Sequence, residues 1–324
     1  MGVFGKSARC TQEPRLHYTQ PSRPMSIPTF GILILNCNGL KWLEALYESL
    51  RQDGYANKRV YLVDNQSTDG SQAFTREHYP EVTVLQMPEN LGYSMAYNLC
   101  MEIAFKDGCD WVSWQNNDTL VEPGWLDWLA EVAASDPKIG VMGPVFRDWE
   151  KPGPSPYMEK RYPNVIPYWD DPAHAPVDVD WVEGSALFVS RACMEAVGPL
   201  EVDLFIYWEE TDFCRRAQYH GWRVVLVPGA VAKHYGGGDT GGGAISAINF
   251  NTLKTHNYFV YKYCDPNRPR WRNFLSALKL LGVQGKKGLR GDTPVQNTWI
   301  LLGVFGKFLT GLQKWSRKWK RDRA

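Results

Sequence analysis

The amino-acid sequence predicts an α/β fold in which a mostly parallel sheet is flanked by helices. Two observations predict it. Runs of β-forming residues alternate with runs whose apolar residues recur at helical spacing, the order that builds parallel sheets through crossover helices. The early β-forming runs also lead into Asn, Asp or Glu, and in open α/β sheets ligands bind beyond the carboxyl ends of the strands.

The first run, FGILILNCNG, reads as a buried strand closed by Asn and Gly. LKWLEALYESLRQ follows with helical spacing, KRVYLVDNQSTDGS gives a second strand and polar turn, and SQAFTREHYP a short helix. VTVLQMPENLG is a third strand running into a loop, YSMAYNLCMEIAFKDG a third helix, and CDWVSWQNNDT a fourth strand. Their polar ends, Asn36–Asn38, Asp64–Asn65, Glu89–Asn90 and Asn116–Asp118, converge on one edge and mark out a nucleotide-sized site. DWEKPGPSPYMEKRYPNVIPYWDDPAHAP, rich in Pro and Tyr, lacks periodicity and reads as a long ordered loop or lid. VDWVEGSALFVS then reads as a strand, RACMEAVG as a helix, and WRVVLVPGAVAKHYGGG as a strand leading to a glycine-rich loop.

A chain of 324 residues, 44% hydrophobic and 22% charged, buries a proper core. A net charge of +1 gives no support to nucleic acid as a partner. Seven cysteines without a C-x-x-C pair fit reduced thiols in a cytosol better than a disulfide framework or a zinc site. Residues 1–26 have no apolar core of the signal-peptide kind and read as a mobile tail.

VDNQSTDGS, NLGYSMAYN, QNNDTLVEPGWL, WEETDFCRRA and KHYGGG follow one another in the order seen in family 2 glycosyltransferases of GT-A fold. The sequence resembles that family from about Ile27 to Lys262, and within it the rhamnosyltransferase and galactofuranosyltransferase branch. The resemblance implies a catalytic domain over residues 27–262 that performs inverting, metal-assisted transfer of a sugar from a nucleotide diphosphate. dTDP-rhamnose is the favoured donor, ahead of UDP-galactofuranose and UDP-hexoses, and the acceptor a glycan or glycolipid in surface polysaccharide assembly.

The family's roles fall on particular positions. Asp118 matches its metal-binding Asp and His234 the histidine that approaches the same metal or the diphosphate; imidazole beside carboxylate suits Mn²⁺ as well as Mg²⁺. Where many members carry a richer acidic motif, this chain has Asn116-Asn117-Asp118. Asp64 matches the residue that hydrogen-bonds the base, with a turn role as the alternative. Asn36, Asn38, Asn90, Gly92 and Asn117 line the nucleotide side. Trp181, Glu183, Gly184 and Ser185 match the acceptor-side segment, where a small residue lets a sugar approach the backbone. Glu210 falls on the general base, at a position where relatives more often carry Asp. Glu209 faces the acceptor or holds a backbone group, and Asp212 anchors the helix N-terminus. Crowded carboxylates raise one another's pKa, which tunes a base toward neutral pH. Of Arg215 and Arg216, one pairs with the acidic cluster and one is left for the diphosphate. The literal D-x-D, Asp178-Val179-Asp180, lies where the family does not put its metal and reads as a solvated strand start.

Residues 263–324 form a basic, Trp-rich helical extension. Its apolar part is short and broken by Lys307, and Trp299, Phe305, Phe308, Trp315 and Trp319 stand beside Lys314, Arg317, Lys318, Lys320 and Arg321. That composition reads as an interfacial helix on anionic lipid, which implies a cytoplasmic protein peripheral to the plasma membrane. The alternative is a helix docked on the catalytic domain or on a second subunit of a homo-oligomer. Two other functions compete with sugar transfer: nucleotidyl transfer to a sugar phosphate, and non-catalytic glycan binding on a retained fold.

Overall fold

A computed structural model describes residues 27–204 and 207–236. The tail at 1–26, the glycine-rich loop beyond Gly236 and the extension at 263–324 lie outside the described residues. The first half alternates as the sequence predicts: β1 (Phe30–Asn36), α1 (Leu40–Gln52), β2 (Lys58–Asp64), α2 (Ser71–His78), β3 (Thr83–Gln86), α3 (Gly92–Lys106) and β4 (Trp111–Asn116). β1 is buried along nearly its whole length, as a parallel strand covered on both faces must be. α1 buries Leu43, Leu46, Tyr47 and Leu50, the spacing of one helical face.

The second half adds β5 (Thr119–Val121), α4 (Trp125–Ser135), β6 (Ile139–Arg147), α5 (Pro156–Arg161), β7 (Val177–Asp178), β8 (Ala186–Ser190), α6 (Arg191–Val197), α7 (Glu209–Tyr219) and β9 (Arg223–His234). The proline- and tyrosine-rich stretch is ordered. Its α5 starts at Ser155, whose hydroxyl caps the Met158 N–H, with Pro156 in the first turn. Ser190 caps α6 in the same way, through the Cys193 N–H.

Nine strands form a single sheet in the order β3-β2-β1-β4-β8-β6-β9-β5, with β7 beside β9. β1, β2, β3 and β4 pair in parallel. β8 is antiparallel to both β4 and β6, and β9 is parallel to β6. Strands β1–β4, β6 and β9 therefore point one way, and β5, β7 and β8 the other. The register decides the rest. Asn36 pairs with Asp64, Leu35 with Asn116, Gln115 with Ala186, and Thr119 with His234. The carboxyl ends of β1, β2, β4 and β9 thus meet the starting ends of β5 and β8 on one edge, and every residue expected to do chemistry lies on it or on α7 beside it. Beneath that edge the core is aromatic: Trp114 and Phe213 meet edge to face at 5.4 Å, and Trp125 and Phe188 at 5.1 Å. Among the described residues no helix is long and apolar enough to cross a membrane.

Candidate active site

The nucleotide side is a network of amides and one carboxylate that is already closed on itself. Asn36 and Asp64 are fully buried. Asn117 donates to Asn36 Oδ1 at 2.7 Å, and Asn36 Nδ2 donates to Ser67 Oγ at 3.0 Å and Asp64 Oδ1 at 3.4 Å. Asp64 Oδ2 accepts from the Ser67 N–H and from Gln72. Asp64 therefore holds the turn after β2, and a nucleobase contact would be added to bonds it already makes. Asn38, exposed at φ 57°, accepts from the Thr68 N–H at 2.7 Å. Asn65 accepts from the Leu91 N–H and donates to Asn90 Oδ1, which in turn accepts from the Gly92 N–H. Gly39 sits where these loops touch: a Cβ there would lie 1.9 Å from Asn117 Nδ2, so only glycine fits.

Asp118 and His234 come together from β4's end and β9's end. Asp118 Oδ1 is 3.3 Å from His234 Nε2, and His234 Nδ1 is 2.8 Å from Glu183 Oε1. Burial disfavours a charged imidazole, but the two carboxylates outweigh it and raise the pKa of His234 to about 10. The donor set fits a divalent cation. Two adjacent ligands each about 2.1 Å from one ion sit about 3 Å apart, close to the Asp118–His234 separation. A metal-bound histidine characteristically gives its second ring nitrogen to a carboxylate, and Glu183 occupies that place. Asn116 Nδ2 lies 3.3 Å from the same Nε2. Among the described residues no three His, Cys, Asp or Glu side chains form a complete metal cage. Two protein ligands suit an ion that takes the remainder from a substrate diphosphate.

The acid pair begins α7. Tyr207 and Trp208, just before it, have φ of 70° and 74°, left-handed conformations that cost about 1–3 kcal/mol each for non-glycine residues. Glu209 is only 4% exposed and its Oε2 has no hydrogen-bond partner. Glu210 is half-buried, and the side-chain position of Gly184 faces its Cβ. Burial, then the charge of Glu210, pushes Glu209 well above the usual carboxylate range. Burial also raises Glu210, with Glu183 adding to it. Glu210 accepts from Thr211 Oγ1 at 3.2 Å.

Other residues fall into place around them. Asp212 is fully buried and paired with Arg216 at 2.8 Å, and Arg216 also donates to the carbonyls of Val197 and Pro199. Arg216 is thus the structural partner of the cluster, and Arg215 is exposed. Asp178 holds Arg223 through two bonds of 2.8 and 2.9 Å, so the literal D-x-D is part of a strand-edge ion pair. Ser185 is buried with its hydroxyl unpartnered. Half-buried Trp181 packs on Tyr162 at 5.8 Å. Sequence reasoning missed Tyr157 of α5, whose hydroxyl feels first its own burial and then the charges of Glu183 and Glu210. It also missed Trp42, Trp149 and Tyr235, whose rings cluster beside Asp118: Trp42 and Tyr235 are 4.6 Å apart, and the Tyr235 N–H donates to the Asp118 carbonyl. Only their aromatic type could have signalled them, because they are far apart in sequence.

Comparison with known proteins agrees with this geometry. Residues 31–175 match the profile of Glycosyl transferase family 2. An N-acetylglucosaminyl-diphospho-decaprenol L-rhamnosyltransferase of Mycobacterium tuberculosis is 33% identical, over 63% of this chain and 75% of that protein. An uncharacterised protein of Mycobacterium bovis is 28% identical, over 57% and 70%. Among solved structures, a mannosyltransferase from Pyrobaculum calidifontis in complex with GDP-Man and Mn²⁺ superimposes with a TM-score of 0.56, at 16% identity over 90% of this chain and 83% of that one. TarS of S. aureus, residues 1–349, in complex with UDP-GlcNAc gives 0.58, at 12% identity over 86% and 80%. These two likenesses speak for the fold alone. Profile, relative and fold converge: the chain belongs to the family 2 glycosyltransferases and is a glycosyltransferase with the GT-A architecture.

Proposed function

We propose that this glycosyltransferase transfers rhamnose from dTDP-rhamnose to a GlcNAc residue carried on a polyprenyl diphosphate, with inversion at the anomeric carbon. The observation that carries the reading is the 33% identical relative, named for L-rhamnosyl transfer onto N-acetylglucosaminyl-diphospho-decaprenol. The site supports the same chemistry. A divalent cation, Mn²⁺ or Mg²⁺, would be held by Asp118 and His234, with Glu183 orienting the imidazole; when bound it neutralises the diphosphate of the donor. Glu210, half-exposed on the cleft and raised by burial, is suited to take the proton of an acceptor hydroxyl at neutral pH. Glu209, buried one residue earlier, has no access to an acceptor and supports the base from behind. The loops of Asn36, Asn38, Asp64, Asn90, Gly92 and Asn117 form the nucleotide side, and Trp181, Gly184 and Ser185 the acceptor side.

The test is direct. The full chain is incubated with a panel of nucleotide sugars and a short-chain polyprenyl-diphospho-GlcNAc, and product is read by mass spectrometry and its anomeric configuration by NMR. A rhamnosyl product of inverted configuration, formed from dTDP-rhamnose alone, is expected. Transfer from UDP-galactofuranose or a UDP-hexose in its place would overturn the donor assignment, and a product of retained configuration would remove Glu210 as general base.

A further inference from the structure

We propose that Tyr93 is a positioning residue for Glu210, acting through the backbone of Gly184 and so tying the nucleotide loop to the base. The proposal rests on the reading of Glu210 as general base. Tyr93 begins α3 immediately after the Asn90–Leu91–Gly92 loop that Asn65 holds. Its hydroxyl donates to the Gly184 carbonyl, 91 residues away in sequence. Gly184 is wedged between two side chains: a Cβ there would lie 3.0 Å from Tyr93 Oη and 3.5 Å from Glu210 Cβ. The tyrosine hydroxyl and the stem of the base therefore close the side-chain position of the same glycine together.

The brace is rigid at its far end. The Tyr93 ring packs on Tyr97 with centroids 4.6 Å apart, and Tyr97 donates to the Gln115 carbonyl in β4 at 3.0 Å. Tyr93 itself is only 9% exposed. Burial, Tyr97 and the nearby Glu209 and Glu210 together keep its phenol protonated, so it remains a donor. Any shift of Gly92 on nucleotide binding is handed through Tyr93 to Gly184 and from there to the gap in front of Glu210. A misplacement of about 1 Å in a reacting group can cost about 10²-fold in rate.

Tyr93→Phe keeps the ring and its packing and removes only the bond to Gly184. Single-turnover transfer should fall about tenfold to a hundredfold, with donor affinity, the acceptor KM and Tm close to those of the parent. A purely structural role would instead lower Tm and weaken donor binding together. In a Glu210→Gln background the same substitution should cost nothing further, because residues acting as one unit are non-additive. Gly184→Ala, which presses a methyl on the tyrosine hydroxyl, should be impaired and partly rescued by Tyr93→Phe. If Tyr93→Phe is fully active, or its loss adds in full to that of Glu210→Gln, or rescue of Gly184→Ala is absent, the positioning role is wrong while the base reading stands. If Glu210→Gln alone retains full transfer, the base reading falls and the positioning role with it.

Discussion

The two sides of the cleft are built on opposite principles. On the nucleotide side Asn36, Asp64, Asn117, Ser67 and Gln72 satisfy one another, and the buried polar atoms of that loop cluster find partners within it. On the acceptor side Glu183, Glu209 and Glu210 bring negative charge into one place, and both Glu209 Oε2 and Ser185 Oγ are buried without a hydrogen bond. A closed network of hydrogen bonds rigidifies a binding surface before any ligand arrives. Uncompensated charge and unpaired atoms leave groups whose protonation and partners change when substrate binds, which is where catalytic groups are found. The first side is shaped to hold; the second is left to react.

The largest effect that comparison predicts lies on the reacting side. Glu210→Gln preserves shape and removes the proton acceptor, so transfer should fall by about 10²–10⁴-fold with donor binding unchanged. Glu209→Gln should cost far less, because its carboxyl is buried behind the cleft. Steady-state kinetics on both variants decide the order, and a dead Glu209→Gln beside an active Glu210→Gln would exchange their roles.

Next come the residues proposed to hold the ion. Asp118→Ala should abolish Mn²⁺-dependent binding of the donor nucleotide, measured by calorimetry, without unfolding the chain. Glu183→Gln should weaken Mn²⁺ affinity about 10–100-fold, the usual cost of losing a carboxylate behind a metal-bound histidine. Chelation should reproduce the Asp118 result in the parent protein. Metal-independent donor binding of full strength would leave the Asp118–His234 pair without its proposed task.

Much of this architecture was legible in the sequence, for physical reasons. Strand-and-helix alternation and polar strand ends are local signals, and β1 to β4 with α1 to α3 lie where they point. Motif order singled out Asp118, His234 and Glu210, the residues to which the proposed function assigns its main roles. What the sequence did not expose depends on distance or packing. Glu183 meets His234 across 51 residues, and nothing local marks an acceptor-side carboxylate as the partner of an imidazole. The different burial of Glu209 and Glu210 follows from how α7 packs, since consecutive residues of a helix face about 100° apart. The strand at Ile139–Arg147 went unread because Gly140, Gly143 and Pro144 interrupt its apolar run with residues that ordinarily mark turns.

For the residues that brace α7 and the strand-end loops, the expected losses are of stability as much as of binding. Asp212→Asn breaks a buried pair with Arg216 and should lower stability by about 3 kcal/mol, visible as an earlier denaturant midpoint. Asn36→Ala strands the buried Asn117 amide, at about 1–3 kcal/mol for an orphaned buried group, and should weaken donor affinity with it. Denaturation with and without dTDP separates the two contributions; loss of binding alone would mean that Asn36 contacts the nucleotide and does not brace the loop.

The smallest effect is on pH dependence, and its sign follows from the raised carboxyls. Glu210 must lose its proton before it can accept another, and burial, with the charge of Glu183 beside it, holds its pKa above the ordinary 4.5. The acid limb of the transfer rate should therefore lie above the range of a free carboxylate, with activity rising as pH passes through the folded pKa. Stability runs the other way. A carboxyl whose folded pKa is raised contributes most while protonated, below its unfolded pKa, and that contribution is lost as pH rises through the folded value. Glu209→Gln keeps the neutral form at every pH, so it should flatten the decline in Tm between the unfolded and the folded value. It should leave the acid limb of transfer in place, because Glu209, raised further than Glu210, is still neutral while Glu210 loses its proton. A limb that moves downward in Glu209→Gln would mean that Glu209 already carries its charge while Glu210 titrates, and that Glu209 is the less raised of the two carboxyls.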